Sequence, residues 1–264
     1  MKPANLALVP VTLLGIFAAG CSVESNDPPA LDGTLGRSES QLVEDDAEAA
    51  ETDEDLEVGL DEPLSGAAPE DPGSPADGAT DAEVMEKVRT NPGRFFQPAG
   101  CITTTIEGNV ATRVFANCTG PYEMATFNGT VKSTYTREAG KLTVAHEATD
   151  FQINGATVGG KRVVVYERSG TTVTKTRTGS WSGTTAKGNP ISHEASIVTT
   201  YDAASRCLTR DGSATTSIGG RSSTRTIDDY RRCGIGRLGC PESGKVADGS
   251  PHPSRQLSLA SDGP

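Results

Sequence analysis

Apolar and polar residues fall into three regimes along this 264-residue chain. An apolar run from Leu6 to Ala19 comes first, a stretch with sparse apolar residues occupies 22–80, and from Cys101 onward apolar residues recur at every second position. Period-two alternation marks a strand with one buried face. It is clearest at Leu142, Val144, His146, Ala148 and at Ile191, His193, Ala195, Ile197. Strand-like runs span 101–107, 110–117, 141–149, 161–168, 171–181, 191–201, 213–218 and 222–230. Turn signals at Gly108-Asn109, Ala139-Gly140, Gly159-Gly160, Ser169-Gly170 and Gly219-Gly220 separate them. Thr and Val dominate these runs, as half-buried pleated surfaces favour. The pattern predicts a mainly β domain: an antiparallel meander of about ten strands, closed as a barrel or split into a sandwich.

One short helix precedes the strands. Thr80 and Glu83 have capping-box spacing, Val84, Met85 and Val88 form an apolar stripe, and Asn91-Pro92-Gly93 ends it. This helix either plugs one end of the sheet or leads into it.

Charge divides the chain more sharply than hydropathy does. Residues 22–80 carry 18 Asp or Glu against one basic residue, Arg37, with no aromatic residue. Such a composition buries too little apolar surface to offset ordering entropy, so residues 21–80 read as a disordered acidic linker. Asp53, Asp55 and Glu57 lack the glycine and terminal glutamate of an EF-hand loop, and the run from Glu44 to Glu62 reads as solvated charge. Residues 81–264 hold 17 acidic and 22 basic side chains, so the overall −11 conceals a mildly basic domain. Arg221, Arg225, Arg231, Arg232, Arg237 and Lys245 concentrate late and could meet polyanions or anionic lipid headgroups. With no aromatic interleaving and no nucleic-acid motif, nucleic acid is not an expected partner.

Lys2, the apolar run Leu6–Ala19 and the small residues Ala18-Ala19-Gly20 stand directly before Cys21. This arrangement resembles a bacterial lipoprotein signal with its lipobox. The resemblance implies that residues 1–20 are removed and that Cys21 carries palmitate-type acyl chains anchoring the protein to a membrane. Simple secretion with cleavage after Gly20 and a retained anchor are the competing readings. The apolar run of about 14 residues, interrupted by Pro10, is short for a bilayer span of roughly 20. By the same resemblance, Ser22 after the cysteine implies an exported protein held at the outer membrane. Phe95, Phe96, Pro98, Gly100, Cys101 and the end motif Arg232-Cys233, Gly239-Cys240-Pro241 resemble exported lipoproteins of myxobacteria that carry no assigned activity. The resulting division is a signal peptide at 1–20, the lipidated cysteine and linker at 21–80, a β domain at 81–245 and a disordered tail at 246–264.

Setting Cys21 aside leaves five cysteines. Folding around Gly108-Asn109 brings Cys101 opposite Cys118, and folding around Gly219-Gly220 brings Cys207 opposite Cys233, leaving Cys240 as a free thiol. The rival pairing joins Cys233 to Cys240. Neither set has the spacing of a zinc or thioredoxin-like site.

The most suggestive chemistry is a repeated tripeptide, His146-Glu147-Ala148 and His193-Glu194-Ala195. Two imidazoles sharing the apolar face could bind a metal, but zinc catalysis needs a third ligand, and His252 lies in the Ser/Pro/Gly-rich tail. His146 and His193 therefore read as satisfied strand histidines and as weak metal candidates only. Trp181 stands where a GxSxG elbow would need its nucleophile, and adjacent Asp228 and Asp229 point to opposite faces. No cofactor is expected. The sequence points to a non-catalytic, membrane-anchored lipoprotein presenting a disulfide-stapled β domain to a protein, polysaccharide or lipid partner. The alternatives are a small-ligand or lipid carrier with a cavity inside the β domain, and an enzyme of unknown class.

Overall fold

The computed structural model describes residues 79–233 apart from 92, 124 and 139, the strands at 241–249 and 255–258, and Thr52, Glu57, Gly59, Leu60, Asp61 and Leu64 of the acidic segment. Cys21, Arg237, Cys240 and His252 lie outside the described residues.

Helix α1 (Asp81–Thr90) forms where the capping box predicts it: the Glu83 amide donates to Thr80 Oγ1 at 3.3 Å, and Glu83 Oε2 accepts from the Thr80 amide at 2.6 Å. Its stripe of Val84, Met85 and Val88 is buried against Tyr135, Leu142, Val144, Val164 and Tyr166. The helix thus plugs the sheet rather than merely leading into it.

Eleven antiparallel strands follow in one sheet whose spatial order is the chain order. They are β1 (Ile102–Glu107), β2 (Val110–Thr119), β3 (Thr126–Glu138), β4 (Lys141–Ile153), β5 (Ala156–Ser169), β6 (Thr172–Thr184), β7 (Pro190–Asp202), β8 (Cys207–Ile218), β9 (Arg221–Cys233), β10 (Pro241–Gly249) and β11 (Arg255–Ser258). The predicted meander is therefore present. It is not closed as a barrel: β1 and β11 are its two edges and share no ladder among the described residues. The sheet also runs past residue 245, because β10 pairs Val246 with Ile227 and Lys245 with Asp228, and β11 adds to β10 in turn.

Turn chemistry fixes the register, with one difference from the sequence reading. Asn154 and Gly155 both have positive φ, 49° and 84°, as a two-residue primed turn requires, and they join β4 to β5. Gly159-Gly160 is not the turn but lies inside β5. A Cβ on Gly160 would stand 2.6 Å from Trp181 Cα, and one on Gly179 2.8 Å from Arg162 Cα. Only glycine permits so close an approach of β5 and β6 at these positions.

One face of the sheet is the packed one. At one end Phe96, Phe115, Phe127 and Phe151 pack edge to face or tilted, with Phe115 and Phe151 centroids 5.2 Å apart. Such pairs add about 0.5–1.5 kcal/mol each beyond area burial, which offsets the low aromatic content. Cys101 is joined to Cys118 beside this cluster, and Cys207 to Cys233, which are direct partners across β8 and β9. Disulfides suit an oxidising, exported location. Among the described residues no helix is long and apolar enough to cross a membrane.

Candidate functional site

The middle of the inner face is charged. In β6, Val173, Lys175 and Arg177 alternate inward, and the pleat carries the pattern to neighbouring strands: Tyr166 lies opposite Lys175, Val164 opposite Arg177, His146 opposite Arg162 and Thr199 opposite Arg210. Arg162, Lys175 and Arg177 are each under one-tenth exposed, and Arg113 of β2 is fully buried. Burying a cation is costly unless a carboxylate meets it.

The carboxylates come from the acidic segment. Glu57 and Asp61 are helical and buried, which corrects the reading of 44–62 as wholly solvated charge and of 21–80 as wholly linker. Lys175 Nζ stands 2.7 Å from Glu57 Oε1 and 2.5 Å from Asp61 Oδ2. Arg210 reaches Glu57 Oε2 at 3.6 Å and Arg177 at 3.9 Å. Leu60, between the two acids, belongs to the phenylalanine cluster. Arg113 Nη2 donates to the carbonyls of Gly59 at 3.2 Å and Leu60 at 2.7 Å, so backbone and side chains are both held.

Burial by itself would push the Glu57 carboxyl up, but Lys175, Arg210, Arg177 and Arg162 together hold it well below the usual carboxylate range. Asp61 is likewise held low, with Lys175 and the His146 hydrogen bond outweighing burial. Burial drives His146 downward, only partly countered by Asp61. Burial, with the charges of Asp61 and Glu57, raises the Tyr166 phenol well above its ordinary value. His146 is thus a neutral imidazole, with Nδ1 2.8 Å from Ser133 Oγ and Nε2 3.3 Å from Asp61 Oδ1. The tautomer protonated on Nε2 satisfies both contacts.

His193 lies on the same face but three strands away, roughly 14 Å across the sheet. Its Nδ1 stands 2.9 Å from Thr216 Oγ1, and its ring stacks on Trp181 at 5.1 Å. The two histidines do not converge. Trp181 is a packing residue against Ile191 and Ile218. Asp211, Asp228 and Asp229 gather at an exposed bulge, where the Asp229 amide donates to Asp211 Oδ1 at 2.8 Å. Late basic residues sit on β9 and β10, with Arg231 Nε 3.4 Å from Glu242 Oε2.

Two neighbouring spaces lie along β5–β8 and share Gly159, Gly160, Lys161, Ser180 and Trp181. One, beside Leu60, Arg162 and Trp181, is a cavity of about 30 Å³, room for roughly one water. An open cleft of about 530 Å³ crosses β5–β8, lined by the outward-alternating Lys161, Ser180, Ser182, Glu194 and Thr215, by the glycines of β5, and by Trp181 and His193.

Compared with protein-family models, with curated proteins and with solved structures, the chain matches none.

Proposed function

We propose that the protein is a non-catalytic lipoprotein of the cell envelope, held to the outer membrane through acyl chains on Cys21, and that its outer sheet face binds a polysaccharide. The observation that carries this reading is how space is distributed: about 30 Å³ inside, against about 530 Å³ in the outer cleft. A lipid carrier needs an interior that can hold an acyl chain, and here Leu60, Glu57 and Asp61 of the chain itself fill that position. The cleft offers a row of hydroxyls with one cation and one carboxylate, Lys161 and Glu194, suited to the hydroxyl and charged groups of a sugar polymer.

Binding of the full chain to polysaccharide from the native envelope, measured by co-sedimentation, tests the reading. Ser180→Arg with Thr215→Arg fills the cleft from exposed positions and should abolish binding while leaving the melting temperature unchanged. Undiminished binding by that variant contradicts the assignment of the face. The mass of the N-terminal peptide from membranes tests the anchor, and an unmodified Cys21 overturns it.

A further inference from the structure

We propose that the basic inner face is a receptor for an acidic helical segment, that Glu57, Leu60 and Asp61 are the occupant this chain supplies to itself, and that the same residues of a second copy can take that place and join two molecules.

The ion pairs of this grip come from Glu57 and Asp61, and Leu64 adds a contact with helix α1, its carbonyl accepting from Lys87 Nζ at 3.4 Å. Positions i, i+3 and i+4 share one side of a helix, so a single turn delivers two carboxylates and one leucine together. The receiving groups belong to strands β2, β4, β6 and β8, remote in sequence: Lys175 is 118 residues from Glu57, and Arg113 is 53 from Leu60. These strands are ordered by their own ladders and the sheet is stapled by two disulfides. The receptor and its occupant are thus separate parts joined through 65–78, which contains only Ser, Gly, Ala, Pro, Glu and Asp. That is a linker composition.

Electrostatics favours exchange over an empty receptor. Without the carboxylates, Lys175, Arg177 and Arg210 would face one another with no counter-charge between them. A second copy restores every contact unchanged, and reciprocal exchange closes a two-fold dimer in which both faces are filled. Leu64, buried with Val84, Met85 and Val88, would travel with the segment.

Zero-length carbodiimide coupling tests this directly, because it joins a carboxylate to a lysine in contact. The full chain carrying Cys21→Ser is prepared with ordinary and with heavy nitrogen, and the two are mixed. In dilute solution the Glu57–Lys175 and Asp61–Lys175 links should join peptides of like isotope. After incubation at high concentration, a dimer should appear whose links are mixed in isotope, approaching about half at the statistical limit. Lys175→Arg should abolish the links and keep the dimer. Like-isotope links at every concentration, a dimer without mixed links, or no link to Lys175 at all would each overturn the proposal.

Discussion

Lys175 and Asp61 form a buried ion pair on the inner face, Nζ to Oδ2 at 2.5 Å, although they stand more than a hundred residues apart. Both side chains are under one-tenth exposed, so solvent screens the pair little. Lys175→Ala leaves two buried carboxylates without their nearest cation and should cost about 3–5 kcal/mol in denaturant unfolding. Glu57→Gln with Asp61→Asn leaves Lys175, Arg177 and Arg210 without their counter-charges and should cost at least as much as Lys175→Ala. A smaller loss in the double variant would show that the two carboxylates are not what compensates the buried cations.

The buried histidine sets a pH dependence. His146 is held below its ordinary value of 6.5, so at mildly acid pH the unfolded chain binds a proton that the folded chain refuses. Stability therefore rises with pH across the window below 6.5 and falls on acidification, by up to about 1.4 kcal/mol per pH unit. Glu57 and Asp61, both depressed, add a loss of the same sign below their ordinary 4.5 and 3.8. Melting temperatures should drop between about pH 7 and pH 5.5, and His146→Gln, which keeps a donor toward Asp61 without titrating, should flatten that drop. An unchanged profile would show that His146 is not the titrating group.

The two disulfides close loops of similar size, with sequence separations of 17 and 26. Chain-entropy reasoning assigns each about 3 kcal/mol, so Cys207→Ser with Cys233→Ser should lower unfolding free energy by that order. Peptide mapping without reduction checks the pairing itself: a Cys233–Cys240 linked peptide would contradict it.

Sheet topology was legible because its signals are local. Turn glycines, period-two alternation and hairpin arithmetic located the meander, and the cysteine partners followed from strands folding back on themselves. The place of Gly159-Gly160 inside β5 was not legible, since a glycine pair inside a strand and one at a turn look alike until the Asn154-Gly155 turn is placed. Nor was the docking of Glu57, Leu60 and Asp61. Their run is so acidic that composition argues for solvation, and what overrides composition lies far along the chain, in Lys175 and Arg177 facing inward beside Val173. Two cations at alternate positions on a buried face require counter-charges. That pairing of an inward basic pattern with a remote acidic run was the signal available.

The account rests on Glu57 and Asp61 occupying the inner face, because this fills the interior and leaves the outer cleft to meet a partner. Carboxyl-carbon NMR on the full chain, titrated through acid, measures it most directly. Two side-chain carboxylates, assigned to Glu57 and Asp61, should stay ionised well below the usual carboxylate range. If both titrate in the ordinary range, the segment is solvated, the inner face is open, and the assignment of function to the outer cleft loses its basis.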